Sequence, residues 1–255
     1  MLARRLRGAV NIVLRVENWH EYLLDFLGMR SGAAEIRLRN GISFSVSPTD
    51  RSHKWGIAEV WCAEAYTPPG FGISERDVVV DIGSHIGAFT VFAASKARKG
   101  AVVGIEPFRE SHTLLKRNLA RNSLRAKTLR LGVSGRRETR RLYLFKRNSS
   151  LNGFYSFLSP RHAAVRCVTL DDVFRMCGIR RCDFLKLDCE GAEFNILLNS
   201  PPATLAKAGR IVLEYHERLA RRSHSDIKEY LEENGFVVET RPNMLYARRP
   251  TENAR

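Results

Sequence analysis

Two apolar segments far apart in the chain each end in glycine and polar residues immediately before a predicted helix. The first spans residues 78–87 and the second spans residues 184–193. Continuous apolar runs of this kind are typical of strands that are buried on both faces of a parallel sheet. In an open α/β sheet, ligands bind outside the carboxyl ends of the strands. We therefore expect the two segments to meet at one edge of a sheet and to form a binding site there.

Strand and helix patterns alternate along most of the chain. Predicted strands span residues 77–82, 101–105, 128–133, 183–188 and 209–215. Predicted helices span residues 88–97, 109–122, 170–177, 192–199 and 225–234. Residues 142–145 and 165–169 are expected to pair antiparallel around a polar loop, and residues 237–247 to form a closing hairpin. The alternation predicts an α/β fold with a Rossmann-like, mostly parallel sheet, a C-terminal antiparallel hairpin and helices on both faces.

An N-terminal extension is predicted ahead of this sheet. Apolar residues recur near the helical period from Val13 to Leu27, which predicts one amphipathic helix packed on the body. Asn40-Gly41 lies between two alternating segments and predicts a β-hairpin, and residues 55–66 have a helical pattern. We expect a helix, hairpin and cap segment over residues 1–73, the main domain over 74–249, and a tail over 250–255.

The chain carries a formal net charge of +15, and 44% of its residues are hydrophobic. The hydrophobic fraction suffices for a packed core. The positive charge favours nucleic acid, an anionic membrane surface or an anionic substrate as partner, and the alternative is an arginine-rich solvated surface, since the arginines are scattered and form no single tract. No apolar run has the length of a membrane span, but the basic N-terminus suits weak contact with a membrane surface. The five cysteines lack metal-ligand or disulfide spacing, so we expect reduced thiols in a cytoplasmic protein.

The turn after the first segment has the composition of a cofactor-binding turn. Asp81-x-Gly83-x-x-x-Gly87 follows a run of valines, and Ser84 and His85 occupy its middle. Glycines allow the backbone to turn sharply and to approach a ligand closely. The helix that follows offers free N–H groups at its start. These features predict that the turn contacts a cofactor.

The next predicted strand ends in Glu106 and Pro107. An acid about 20 residues beyond such glycines is placed to bind ribose hydroxyls. The cofactor is therefore expected to contain a nucleoside. A dinucleotide site would show G-x-G-x-x-G, which is not the glycine spacing of this turn.

Ionisable residues crowd the end of the second segment. Lys186, Asp188 and Glu190 alternate along the predicted strand and therefore share a direction. Charges in a buried strand are costly unless they are paired or used, which favours function for Lys186 and Asp188. Glu193 has an alternative explanation as a first-turn acid that the helix dipole favours.

The string LKLDCEGAE at residues 185–193 resembles the K-x-D-x-E-G-x-E motif of FkbM-family methyltransferases. Glu106-Pro107 and the string VTLDD at 168–172 resemble further features of that family. The resemblance covers the chain from about residue 35 to residue 247. It implies methyl transfer from S-adenosylmethionine, usually to a hydroxyl oxygen. The residues then expected to contact the cofactor are Asp81, Gly83, Ser84, His85, Gly87, Glu106, Pro107, Ser134 and Asp188.

An alcohol acceptor must lose its proton, so a general base is expected. Asp188 is the first candidate, and His216, which we expect to titrate near neutrality, is the second. Lys186 is expected to pair with Asp188 or to polarise the acceptor. The residues predicted to contact the substrate are Glu190, Glu193 and Glu214, with Glu214 alternatively orienting His216. No metal is expected, and His53, His112, His162 and His224 are expected at the surface.

The predicted acceptor is a hydroxyl on a small molecule, a sugar or a glycan, with an anionic group allowed by the net charge. Three other functions stay open on the sequence alone. RNA methylation is suggested by the positive charge, but the sequence shows no separate RNA-binding module. A nicotinamide-dependent oxidoreductase is disfavoured by the glycine spacing. A non-catalytic binding protein would require the strand-end acids to be inert.

Overall fold

A computed structural model describes residues 2–27, 29, 32, 34–145, 147–155 and 159–250. The strands are β1 (Glu35–Arg37), β2 (Ser43–Ser45), β3 (Val78–Ile82), β4 (Ala101–Ile105), β5 (Lys127–Leu129), β6 (Gly132–Val133), β7 (Glu138–Tyr143), β8 (His162–Val168), β9 (Phe184–Leu187), β10 (Arg210–Glu214), β11 (Val237–Arg241) and β12 (Met244–Arg248). The helices are α1 (Leu2–Arg15), α2 (His20–Phe26), α3 (Ser52–Trp61), α4 (Ala88–Lys96), α5 (Arg109–Arg121), α6 (Leu170–Cys177), α7 (Ala192–Leu198), α8 (Pro202–Leu205), α9 (Glu217–Ala220) and α10 (His224–Glu233).

The central sheet has the strand order β11-β12-β10-β9-β3-β4-β5. Strands β10, β9, β3, β4 and β5 are parallel, and β12 and β11 complete the sheet as an antiparallel hairpin. This arrangement confirms the predicted α/β fold. The chain builds outward from β3 through β4 to one side and later through β9 to the other. The strand order therefore reverses beside β3, which is where ligands bind in sheets of this kind.

The register of the central strands brings the two sequence segments together. Ile82 at the end of β3 pairs with Leu187 on β9 and with Ile105 on β4. The residues that follow these three strands therefore emerge side by side at one edge. Apolar residues of the strands are buried against helices and small sheets on both faces. This packing fits the unbroken apolar runs, because neither face of the central strands β3, β9 and β10 meets water.

The strand predicted over residues 128–133 is two strands in different sheets. β5 pairs with β4 in the central sheet, whereas β6 pairs with β8 in a small sheet of order β6-β8-β7. Gly132 permits this departure, because a Cβ there would lie 2.7 Å from the Sγ atom of Cys167. The short helices α8 and α9 are absent from the sequence-based assignment.

The N-terminal segment contains two helices instead of the predicted single one. The chain leaves α1 at Val16, which forms an antiparallel bridge with Leu38 of the hairpin segment. The N–H of Glu17 donates to the carbonyl of Arg37, and the side chain of Asn18 bonds to the backbone of the same strand. Strand-like pairing thus replaces helix between α1 and α2.

Two N-terminal elements lie close to their predicted positions. The hairpin of β1 and β2 forms around Gly41, which has a φ of 86°. Helix α3 begins three residues earlier and ends five residues earlier than predicted. Its start is fixed by Asp50, whose carboxylate accepts hydrogen bonds from the N–H and the hydroxyl of Ser52.

The division at residue 74 stays a prediction, and most of the predicted tail, residues 251–255, lies outside the described residues. Among the described helices, none combines the length and apolar character needed to cross a membrane.

Candidate active site

A cavity of about 310 Å³ lies at the carboxyl ends of the central strands. Its size is within the range of small-molecule sites. Its wall combines the turns after β3, β4, β9 and β10 with helix α3 and the loop between β7 and β8. The predicted site residues that line it are Gly83, Ser84, His85, Glu106, Pro107, Lys186, Asp188, Glu190, Glu214 and His216.

The turn after β3 is held against the end of β9. Gly83 has a φ of 79°, and a Cβ there would lie 1.8 Å from the carbonyl oxygen of Asp188. Only glycine fits this conformation and this contact without displacing the backbone. The glycine therefore joins the two segments that the sequence analysis singled out.

Two residues without glycine's freedom also adopt left-handed conformations at this edge. His85 has a φ of 50° and Glu190 has a φ of 52°. Such conformations cost free energy in residues with a Cβ and concentrate at functional sites. Both residues lie in the cavity wall, one in each of the two turns.

The carboxylate of Glu106 is fixed by two backbone N–H groups. His85 donates to one oxygen and Phe108 to the other, each over 2.8 Å. Burial raises the pKa of Glu106 to about 7 in spite of these bonds. Each carboxylate oxygen has a further lone pair, so the group can still accept hydrogen bonds from a pair of ligand hydroxyls.

Lys186 joins the polar groups of the two turns. Its Nζ lies 3.1 Å from Oδ1 of Asp81 and 3.6 Å from Oδ2 of Asp188, and it donates to the carbonyl of Gly83 over 3.0 Å. The side chain is only 4% exposed. Burial alone would lower the pKa of Lys186, but the two carboxylates raise it well above its ordinary value. The ammonium group is therefore permanent at physiological pH.

Asp188 presents one carboxylate oxygen to the cavity that has no partner among the described residues. The Tyr66 hydroxyl donates to Oδ2 over 2.9 Å, and Lys186 approaches that same oxygen. Within the described part of the chain, Oδ1 has no hydrogen-bond partner. Burial alone would raise the pKa of Asp188, but Lys186, His216 and Tyr66 lower it below its ordinary value. Asp188 is therefore an ionised carboxylate with one acceptor oxygen available to a ligand.

His216 does not titrate near neutrality, contrary to the prediction. Burial alone would lower its pKa, but the hydrogen bond to Glu193 and the nearby carboxylates raise it to about 10. Nδ1 lies 3.2 Å from Oε1 of Glu193, and Nε2 lies 3.8 Å from Oε2 of Glu190. The imidazole is protonated at neutral pH and cannot then serve as the general base.

Glu193 does not reach the cavity. Its carboxylate is fully buried and accepts hydrogen bonds from the N–H groups of Cys189 and Gly191. Glu193 therefore stabilises the turn between β9 and α7, and its contact with a substrate stays a prediction. This placement agrees with the alternative explanation of the residue as an acid at a helix start.

Three predicted cofactor contacts also lie away from the cavity. Asp81 is fully buried beneath it and is bound by the Thr90 hydroxyl and Lys186. Gly87 begins α4 with a φ of 90°. Ser134 donates towards Asn195 from a buried position outside the cavity wall. In the structure each residue supports a turn or a neighbouring side chain, and the three predicted cofactor contacts stay predictions.

Helix α3 and the residues after it supply cavity groups that the sequence analysis did not identify as site residues. Glu59 and Tyr66 line the cavity opposite the strand ends. The sequence indicates a functional role for them only weakly, because a single acid on a helix and a tyrosine two residues before Pro-Pro-Gly have many structural explanations. Only the hydrogen bond from Tyr66 to Asp188 reveals the connection.

A buried polar cluster supports the far wall of the cavity. His85 Nε2 lies 2.6 Å from the Ser149 hydroxyl, and His53 Nε2 lies 3.3 Å from it. Asp50 accepts the N–H of Ser149 over 2.9 Å. His53 is buried, so its predicted surface position is wrong. The cluster fixes the loop after β7 against helix α3 and the turn after β3.

Four cavity carboxyls have raised pKa values because burial disfavours their charged forms. Glu59 and Glu106 have pKa values of about 7, and Glu190 and Glu214 have values of about 8. The cavity is thus acidic, although the chain as a whole is strongly basic. A cationic ligand group would stabilise these carboxylates.

Asp188, Glu193 and His216 bring potential metal-ligand atoms within 4.8 Å of one another. Both oxygens of Glu193 already accept backbone N–H groups. His216 is protonated at neutral pH, because its pKa is about 10, and it pairs with that same carboxylate. Hydrogen bonds therefore account for this cluster.

The family model described as the methyltransferase FkbM domain matches residues 81–238, which is more than half of the chain. The chain belongs to the FkbM methyltransferase family. This confirms the resemblance and supports S-adenosylmethionine as the cofactor. Methyltransferase FkbM from Methylobacillus flagellatus KT has a similar fold, with a TM-score of 0.50 and 17% identity over 76% of this chain and 53% of that chain.

Two curated relatives have related sequences. AMB antimetabolite synthetase AmbE of Pseudomonas aeruginosa is 29% identical over 73% of this chain, but the chain spans only 11% of AmbE. The 31-O-demethyl-FK506 methyltransferase FkbM of Streptomyces tacrolimicus is 22% identical over 74% of this chain and 84% of its own length.

The cavity of this FkbM-family protein fits S-adenosylmethionine in its chemistry. The fixed carboxylate of Glu106 suits the ribose hydroxyls. The acidic wall suits a ligand that carries a sulfonium and an ammonium group. Gly83, Ser84 and His85 would form the part of the wall nearest the end of β3.

Binding of S-adenosylmethionine to this protein is expected to release protons. At neutral pH the four carboxyls with raised pKa values are partly protonated, and a nearby cation lowers those pKa values. Release should be largest between about pH 7 and 8 and should vanish by about pH 10, where the carboxyls are already ionised. Calorimetry in buffers of different ionisation enthalpy measures the number of protons released.

S-adenosylhomocysteine is the matched control for that measurement, because it lacks the sulfonium charge. It should release fewer protons than the methyl donor at the same pH. Equal release by both ligands would contradict the placement of the sulfonium beside the cavity carboxyls.

Proposed function

We propose that this protein transfers a methyl group from S-adenosylmethionine to a hydroxyl oxygen of a small molecule, a sugar or a glycan. The observation that carries the proposal is Oδ1 of Asp188, which lies in the wall of the cavity and has no hydrogen-bond partner in the part of the chain that the structure describes. An ionised carboxylate with a free oxygen can accept a hydroxyl proton, whereas an amine acceptor would bring its own lone pair. The acidic wall favours an acceptor without a negative charge near that hydroxyl.

S-adenosylmethionine supplies an electrophilic methyl group when it is bound. Asp188 orients the acceptor hydroxyl through Oδ1 and takes its proton as the oxygen attacks. Tyr66 and Lys186 hold Oδ2 and keep the carboxylate ionised before the proton arrives. His216 and Glu193 fix the adjacent turn, so that positioning contributes to the rate together with proton removal.

The name of the Streptomyces tacrolimicus relative, 31-O-demethyl-FK506 methyltransferase, describes an oxygen acceptor and supports the choice of oxygen. The test is to incubate the protein with S-adenosylmethionine labelled in its methyl group and fractionated host extract. Label in a base-stable small molecule or glycan is the expected result. Label in RNA, or cofactor binding limited to a nicotinamide nucleotide, would overturn the proposal.

Glu106→Gln is expected to weaken S-adenosylmethionine binding about 10- to 100-fold, the range for a lost hydrogen bond to a charged group. The amide also turns an N–H donor towards the backbone N–H of His85 or Phe108, so one of those groups loses its acceptor. Calorimetry gives the dissociation constant, and circular dichroism checks the fold. Glu110→Gln on the exposed first turn of α5 is the matched control. Unchanged affinity in Glu106→Gln would show that Glu106 does not contact the ribose.

A further inference from the structure

Helix α1 turns apolar side chains towards solvent. Val10, Val13 and Leu14 are 54%, 41% and 65% exposed. Their spacing of three and four residues places them on one face of the helix. A helix packed on a protein body normally buries such a face. Val13, which is expected to pack on the body, is exposed instead, together with Val10 and Leu14.

The face of α1 that contacts the body is mainly polar. Asn11 donates to the carbonyl of Cys62 over 3.0 Å, and Arg15 donates to the carbonyl of Trp61 over 2.7 Å. Among the residues of α1 whose side chains are described, Ile12 is the apolar one that packs on the core beneath. Hydrogen bonds thus hold the helix in place and leave its apolar face free for another partner.

The exposed apolar surface continues beyond α1. Leu23 in α2 is 46% exposed, and Leu27 just after that helix is 57% exposed. The Tyr22 hydroxyl donates to the carbonyl of Lys54, one residue before Trp55. Trp55 is itself exposed and lines the cavity. The N-terminal apolar surface therefore extends towards the helix that forms the cavity wall.

Charge identifies the partner. Helix α1 carries four arginines and no acidic residue; Arg15 pairs with Glu64 on the body, which leaves Arg4, Arg5 and Arg7 to supply the positive charge of the helix. Two copies meeting through this face would bring like charges together, which disfavours a dimer. An anionic lipid surface offers opposite charge to the arginines and an apolar boundary to the exposed side chains.

We propose that α1 and α2 dock on the surface of an anionic lipid membrane. Val10, Val13 and Leu14 would enter the boundary between head groups and acyl chains, together with Leu23 and Leu27. The helix is 14 residues long and would lie in the plane of the surface. This docking does not depend on the methyl-transfer reaction, since none of these residues lines the cavity.

The test is flotation with phosphatidylcholine vesicles that contain or lack phosphatidylglycerol. The unchanged protein should float with the phosphatidylglycerol vesicles and much less with phosphatidylcholine alone, and added salt should weaken the binding. The double variant Val10→Gln/Leu14→Gln should lower the partition coefficient about tenfold or more. Its fold should be unchanged, because both positions are exposed. The matched control is Met176→Gln/Val237→Gln, which replaces exposed apolar residues elsewhere.

Three results would overturn the proposal. The first is failure of the unchanged protein to float with phosphatidylglycerol vesicles, and the second is equal flotation of the α1 variant. The third is light scattering that shows a dimer which the α1 variant dissociates, because a second copy would then cover this face. Cofactor affinity, measured on the same variants, reports separately on the proposed enzymatic function.

Discussion

Replacing Asp188 with asparagine is expected to lower the turnover number about 10²- to 10⁴-fold, the range for loss of a general base. The amide keeps the size of the side chain and can still accept a hydrogen bond from Tyr66, but it cannot take the acceptor's proton. Initial rates with saturating methyl donor and acceptor measure the effect. Cofactor affinity should change much less than turnover.

The matched control is Asp226→Asn on α10, whose side chain pairs with Arg222 at the surface. It should leave turnover unchanged. A rate in Asp188→Asn within a few-fold of the unchanged protein would show that another group removes the proton. His216 could then be tested, since a bound cation would lower its pKa from about 10 towards neutrality.

Lys186→Met is expected to destabilise the protein by about 3–5 kcal/mol, the range for removing one partner of a buried ion pair. The variant leaves the carboxylate of Asp81, which is fully buried, without its counter-charge. Urea denaturation with the linear extrapolation measures the free energy of unfolding. Adding Asp81→Asn should recover part of the loss, because the double variant no longer buries an unpaired charge.

Lys207→Met is the matched control for Lys186→Met. Lys207 pairs with Asp171, but both side chains are more than a third exposed, at 35% and 42%. Such pairs contribute about 0–1 kcal/mol. An equal effect in the two variants, or no recovery by Asp81→Asn, would contradict the importance of the buried pair.

The sequence predicted the central sheet well because the strands are buried on both faces and are bounded by turn residues. Helix α6 matches its predicted range of residues 170–177. Thr169 and Asp172 form a capping box at its start, and Gly178 ends it with a φ of 67°. Local signals were therefore sufficient where they agreed with the tertiary packing.

The errors lie where a distant contact decides the local structure. Val16 leaves its helix because the hairpin segment offers strand pairing, and the strand at 128–133 divides because β8 lies beside Gly132. No pattern within these segments carries that information. Propensity is a weak guide when tertiary pairing competes with it.

The same limit applies to the site. Residues directly after the strand ends, such as Glu106 and Asp188, could be placed because parallel strands end at one edge. The direction in which a side chain points cannot be predicted in this way. Glu193 and Ser134 are predicted to contact ligands, but in the structure they bind neighbouring protein groups. Tyr66 cannot be predicted in this way, because it lies in a segment that is not a strand paired with β9.

The hydrogen bond from Tyr66 to Asp188 joins a residue outside the matched family domain to the centre of that domain. Glu59 and Trp55, on the same side, also precede residue 81 and complete the enclosure. A fragment cut to the boundaries of the family model would open Asp188 to bulk water on that side. The smallest unit able to shield the reacting groups is therefore larger than the domain that defines the family.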